Sequence, residues 1–168
     1  MNYQRGFSLI EIIVVLGILA LIASIGLFVS MDFWRGSSSH SEQDSVVSLL
    51  ENARSQSLNN IDQVRHGVHF DASPLRYTEF ECTSSTCTDY SGADTSKDLV
   101  INSSSNNVSV TAPVLPFDII FDQLNGACIT TTSPTPFICD PATQQIKIND
   151  GVKDYIITVN SEGQIDWK

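Results

Sequence analysis

Only a few residues of this chain have the type and spacing to do chemistry. The first is Glu11, the single ionisable residue between Phe7 and Met31. A carboxylate at the centre of a bilayer costs on the order of 2.5 to 3.5 kcal/mol on insertion scales, so it calls for a partner of opposite charge. Glu11 lies one helical turn from Phe7, about 6 Å along a helix axis, within reach of an amine at the start of a helix. Cleavage between Gly6 and Phe7 would create that amine.

The second set is four cysteines, Cys82, Cys87, Cys128 and Cys139, all in the polar C-terminal part. An even number in a domain outside the cytoplasm reads as disulfides. The local pairings, Cys82 with Cys87 and Cys128 with Cys139, are favoured over the other two connectivities because each closes a polar loop at modest entropic cost. The gaps miss the two-residue knuckle of a zinc site.

His66 and His69 are three apart on a predicted strand and therefore fall on opposite faces, which opposes shared metal binding or acid/base pairing. Both read as surface or partly buried strand residues. Asn149, Asp150 and Asp154 do not reproduce an oxygen-ligand loop and read as a turn. Asn102-Ser103-Ser104 and Asn107-Val108-Ser109 fit the N-glycosylation acceptor pattern, which is too short to carry weight here. No nucleophile motif, phosphate-cradling glycine loop or paired-carboxylate signature accompanies them. No catalytic residue, metal or cofactor is expected.

The elements that must position these residues begin with the N-terminus. Met1 to Gly6 is a short polar leader with one basic residue, and apolar sequence starts at once with Phe7. An ordinary signal peptide is cut after its apolar stretch, whereas here the natural break precedes it; the small-residue alternative, Ser24-Ile25-Gly26, is weak. The run from Phe7 to Met31 exceeds the roughly 20 residues a bilayer-spanning helix needs. Arg5 before it and Asp32 after it place the N-terminus in the cytoplasm and the bulk of the chain outside. Gly17 and Gly26 either weaken the helix or allow close helix packing.

Here the sequence resembles a known family. Gly6-Phe7-Ser8-Leu9-Ile10-Glu11 is similar to the prepilin processing motif of type IV pilins and type II secretion pseudopilins: a short leader, Gly before the cut, Phe at the new terminus and an acid five positions into the mature chain. The resemblance implies that prepilin peptidase cuts between Gly6 and Phe7 and N-methylates Phe7. It further implies that Glu11 engages the terminal ammonium of a neighbouring subunit and sets the stagger between helices. The late proline that many family members carry in the apolar stretch is missing, with Ser24-Ile25-Gly26-Leu27-Phe28-Val29 in its place.

After Met31 the chain turns polar, and Gly36-Ser37-Ser38-Ser39-His40-Ser41 has linker composition. Val46, Leu49, Leu50, Ala53, Ser57 and Ile61 then recur at three- and four-residue steps, the pattern of a helix with one apolar face. The resemblance favours one continuous helix, and Asn59-Asn60 marks its end near Ile61.

Beyond it the period becomes two. Strands are expected at Val64 to Phe70, Arg76 to Glu81, Leu99 to Ile101, Val108 to Thr111, Ile119 to Asp122, Ile129 to Thr132, Ile146 to Ile148, Tyr155 to Val159 and Gln164 to Trp167. Turns are expected at Asn125-Gly126, Asn149-Asp150-Gly151 and Ser161-Glu162-Gly163. Leu50-Glu51-Asn52-Ala53-Arg54-Ser55-Gln56-Ser57 before Val68-His69-Phe70 is similar to minor subunits of the general secretion pathway H and fimbrial T group, where such a helix leads into a β-sandwich-like head. Ile119-Ile120-Phe121-Asp122 and Ile157-Thr158-Val159-Asn160 with Gly163 resemble that group's late strands.

The expected fold is therefore α+β, a long N-terminal helix followed by an antiparallel β-sheet or sandwich-like head. Its parts are a leader at 1–6, a transmembrane and filament-core helix at 7–31, an amphipathic continuation at 32–62 and a β-rich head at 63–168. The 168 residues allow one soluble domain plus one long element.

The expected partners are other pilin or pseudopilin subunits, prepilin peptidase, an inner-membrane assembly platform, and membrane lipid before assembly. Net charge is −10, and loss of Arg5 with the leader makes it one unit more negative. Such a surface repels phosphate backbones. A DNA-capturing pilus subunit is the alternative binding role, opposed by the C-terminal stretch Ser161 to Lys168, whose only positive residue is Lys168. A membrane-anchored secreted protein unrelated to filaments is the remaining alternative.

Overall fold

A computed structural model describes residues 8–103, 109–131, 135–149 and 153–168, with side chains described for all of these except 25–38 and 112. The chain forms two compact units, Met1–Ser37 and Ser38–Lys168. A single helix, α1 (Leu9–Leu58), starts in the first and ends in the second. Its backbone runs through the Ser-rich stretch at 36–41 without a break. Linker composition is overridden there because serine is only a weak helix breaker when backbone bonding continues on both sides.

Within the second unit, Val46, Val47, Leu49, Leu50, Ala53 and Ser57 of α1 are buried. Their three- and four-residue steps make one face. The helix ends at Leu58 rather than near Ile61. Asn59 turns its amide back onto Ser55 O at 2.8 Å, and Asn60 adopts φ 53, the left-handed conformation that stops a helix. Ile61, expected on the buried face, is consequently 46% exposed.

Among the described residues nine strands follow: β1 (His66–Ala72), β2 (Leu75–Glu81), β3 (Leu99–Asn102), β4 (Ser109–Ala112), β5 (Phe117–Phe121), β6 (Cys128–Ile129), β7 (Ile146–Asn149), β8 (Asp154–Val159) and β9 (Ile165–Trp167). They form two antiparallel sheets, one in the order β3-β2-β1-β5-β6 and one in the order β4-β7-β8-β9. The first sheet pairs Val68 with Glu79 and Ile119, and Phe70 with Tyr77 and Phe117. Partners opposite one another share a face. That face, the apolar stripe of α1, and Ile146, Ile148, Tyr155, Ile157 and Val159 of the second sheet form one core. Phe70 stacks on Phe117 at 4.3 Å between ring centroids, and Phe117 on Phe137 at 5.6 Å.

The other face of the first sheet carries a smaller core of Phe80, Cys82 and Ile120, with Tyr90, Cys87 and Ile129 packed on it. Gly67 lies opposite both Phe80 and Ile120. A Cβ there would meet Ile119 O at 2.6 Å and the Phe80 ring at 2.8 Å.

Candidate assembly site

Glu11 sits in the first turn of α1, where its backbone N–H donates to Ser8 O at 3.0 Å. The partial positive charge of a helix start favours a carboxylate at that position. The side chain is exposed, and every Leu, Ile and Val from 9 to 22 is at least 51% exposed. An amphipathic helix would show one covered face; this stretch shows none. Covering eleven such side chains is worth roughly 15–30 kcal/mol, and the described residues do not provide that cover. The polar Ser24 hydroxyl is satisfied within the helix, donating to Leu21 O at 2.8 Å. Among the described residues nothing lies within 4 Å of a Cβ built on Gly17.

Residues 1–27 match the prokaryotic N-terminal methylation motif. The chain has a prepilin-type N-terminus. No curated protein and no solved structure matches it. Gly6 and Phe7, the expected processing residues, lie outside the described residues, as do Arg5, Asp150 and Gly151 of the expected turn, and Asn107 and Val108. Among the described residues, no helix is long and apolar enough to cross a membrane. The apolar run in the sequence continues to Met31, past the last described side chain of this stretch, Ser24.

In the second unit the cysteines form two bonds, Cys82–Cys87 with Cα atoms 6.0 Å apart and Cys128–Cys139 at 5.8 Å. The first ties the 82–98 loop over the smaller core. The second joins β6 to the segment that carries Phe137 into the main core. Among the described residues no group of three His, Cys, Asp or Glu side chains is placed to hold a metal ion. Asn149 and Asp154 instead pair across the β7–β8 hairpin at 2.5 Å.

The two histidines lie on opposite faces of β1, but His66 is 1% exposed and belongs to the core side, not to the surface or a partly buried position. Position 66 lies opposite Phe121 and Glu81 and beneath the helix end, where its backbone N–H donates to Ser57 Oγ at 3.0 Å. His69, on the outer face, bonds the fully buried Asp118 at 2.6 Å and stacks on Tyr90 at 4.3 Å. Asp118 also accepts from Tyr90 N at 2.8 Å. Tyr90 donates in turn to Asp98 at 2.5 Å, and burial and that carboxylate push its hydroxyl up to about 12. A His–Asp pair of this kind orients an imidazole, as in a nucleophile-base dyad. Here both partners are stacked and bonded to the 82–98 loop, so the pair fastens the loop to the sheet.

Sequence periodicity missed a set of buried polar groups that fix α1 on the sheets. Glu79, on the core face of β2, accepts from Asn52 at 2.7 and 2.9 Å and from Gln56 at 2.8 Å. Burial raises its pKa above the ordinary carboxylate value, the Asn52 bond opposing. Ser57 donates to Phe121 O at 3.1 Å. Glu42 and Gln43 are buried near the start of this unit's helical stretch; burial and then the Glu42 carboxylate raise the Tyr77 hydroxyl far above its usual value. Arg54 reaches Gly126 O and Glu162 O, each at 3.4 Å, and so spans a hairpin loop of each sheet. The only sequence signal for these was a polar residue recurring at helical spacing beside the apolar stripe.

Proposed function

We propose that this chain is a non-enzymatic structural subunit, a minor pilin or pseudopilin, of a type IV pilus or type II secretion pseudopilus. The observation that carries the reading is a methylation-motif N-terminus on a helix that is apolar all round and broken only by Glu11. On this reading prepilin peptidase removes residues 1–6 and methylates Phe7. The mature chain waits in the inner membrane, head outside the cytoplasm, until an assembly platform moves it into the filament.

Lipid and then neighbouring helices cover the exposed Leu, Ile and Val side chains. The Phe7 ammonium of an adjacent subunit compensates Glu11, which in a low-dielectric bundle fixes the axial stagger because a displaced carboxylate is left unpaired. The acidic head sets the lateral contacts.

Mass spectrometry of the membrane-extracted protein tests this directly. The expected product begins at a methylated Phe7; a chain that retains Met1, or that starts after Gly26, overturns the reading. Glu11→Ala is expected to insert into the membrane normally and fail to enter filaments, and normal incorporation of that variant would remove the register role.

A further inference from the structure

His66 is a buried base with nothing to hold. Among the described residues neither ring nitrogen has a side-chain partner within hydrogen-bond distance, and Glu81 Oε2 stands off at 3.8 Å. Buried polar side chains are normally satisfied, and an exception in a folded domain asks for a reason.

The surroundings supply one. Glu81 is occupied at its other oxygen by Lys97 Nζ at 2.7 Å, and the same ammonium holds Asp62 at 2.9 Å. Asp62 belongs to the 3-10 turn Ile61–Gln63, through which the chain leaves α1 and enters β1. Three non-glycine residues of this exit, Asn60, Asp62 and Gln63, sit at φ 53, 52 and 59. Asparagine and aspartate tolerate left-handed backbone better than other non-glycine residues, but Gln63 does not, and three such residues within four persist only where other contacts impose them. Lys97 is one such contact, and the Gln123 amide on Asn60 at 2.5 Å is another.

The geometry points to an acid-operated latch: a proton on His66 draws Glu81 away from Lys97, and the strained exit between α1 and β1 is released. The groups around the ring give this direction. From β2 comes Glu81, from the exit turn Asp62, from the Thr95–Lys97 turn Lys97, while α1 contributes only the uncharged Ser57 and β5 the apolar Phe121. Arg65 is engaged elsewhere, on Asp122 at 2.9 Å and on Cys87 O at 3.0 Å.

Burial, the largest influence, holds the ring neutral, with Glu81 and Asp62 favouring the proton. A histidine whose folded pKa is depressed contributes stability that is complete above its unfolded value and is lost as pH falls below it. An imidazolium arriving in this place has, besides the Val64 backbone, one carboxylate close to the ring, Glu81 at 3.8 Å, and drawing it over leaves Lys97 with Asp62 alone.

Hydrogen exchange on the full chain in detergent micelles, read by mass spectrometry at about pH 7.5 and about pH 5.5 and corrected for intrinsic rates, tests the latch in the range where histidine titrates. Peptides covering 59–66 are expected to exchange about tenfold faster in acid, the factor that linkage to one proton gives per pH unit. His66→Gln should abolish the difference, and Lys97→Met should exchange at pH 7.5 as the unaltered chain does at pH 5.5. Equal protection of 59–66 at both pH values overturns the proposal, as does an acid response that survives in His66→Gln. Should His66→Gln fail to fold, the Lys97→Met comparison decides alone: protection unchanged from the unaltered chain at pH 7.5 overturns it.

Discussion

Replacing Gly163 by alanine tests whether the two sheets are held in place at a single backbone contact. Gly163 closes the β8–β9 hairpin with φ 75, its N–H donating to Asn160 O at 2.9 Å. A Cβ there would lie 1.9 Å from Gly126 O and 3.0 Å from Arg54 Nε. Gly126 is itself at φ 62 in the β5–β6 loop. Neither side is a flexible side chain end, so the loops must separate by more than 1 Å to reach an ordinary carbon–oxygen contact of about 3.3 Å.

The left-handed conformation costs alanine about 1 kcal/mol, and the forced backbone shift about 1–3 kcal/mol. Arg54 then loses one or both of its long bonds to Gly126 O and Glu162 O, at about 0.5 kcal/mol each for bonds of that length. The total is about 2.5–5 kcal/mol, a large part of a domain's usual stability. Urea denaturation of the full chain in detergent, followed by far-ultraviolet circular dichroism, should show a midpoint lowered accordingly at unchanged slope. Gly163→Asn separates the two causes, since asparagine tolerates the left-handed region but carries the same Cβ; it should recover at most about 1 kcal/mol. A Gly163→Ala protein within about 0.5 kcal/mol of the original would refute the close approach.

Glu79→Gln probes the raised carboxylate. Because the folded pKa lies above the unfolded value, Glu79's contribution is complete below the unfolded pKa and is lost as pH rises through the folded one. The stability of Glu79→Gln relative to the parent should therefore increase from about pH 4 to about pH 7, and a flat difference across that range would contradict it. Reducing the disulfides should cost about 3 kcal/mol for Cys128–Cys139 and about 2 kcal/mol for Cys82–Cys87, by the loop lengths they close, measured as separate Cys→Ser pair variants in thermal melts. Leu50→Ala, at a core position with no exposure, should destabilise by about 2–5 kcal/mol in the same melts.

The sequence carried the element types well because each rests on local physics. Period-two runs punctuated by Gly, Pro and Asn appear as strands at all nine expected places, with ends displaced by a few residues. β1 begins at His66 rather than Val64 because the exit turn consumes the first residues. β5 begins at Phe117, two residues before the expected Ile119, because Phe117 packs on Phe70. The division of strands between two sheets was not legible, since β4 reaches over β5 and β6 to pair with β7, and nothing local encodes such a pairing. Buried polar residues were illegible for the same reason: Glu79 looks like a solvent-facing strand position until Asn52 and Gln56 are seen to meet it.

The two stretches of α1 solve opposite problems, and their compositions follow from that. Residues 9–22 offer apolar side chains in every direction, a surface that constrains neither rotation nor register, because sliding such a rod among similar neighbours changes little apolar area. Residues 39–58 carry an apolar stripe bordered by Glu42, Gln43, Asn52, Arg54, Gln56 and Ser57. Their bonds fail under a shift of one residue: Asn52 and Gln56 lose Glu79, and Ser57 loses Phe121 O. Directional groups thus define a single seat for the helix, where burial alone would permit several. By the same reasoning, and on the proposed reading, Glu11 is the directional group that would carry register information for the first stretch. An Ile13→Glu substitution in a Glu11→Ala background would therefore be expected to leave membrane insertion intact without restoring filament entry, read by shearing and immunoblotting. Restored entry would mean that any buried acid suffices and that its axial position carries no information.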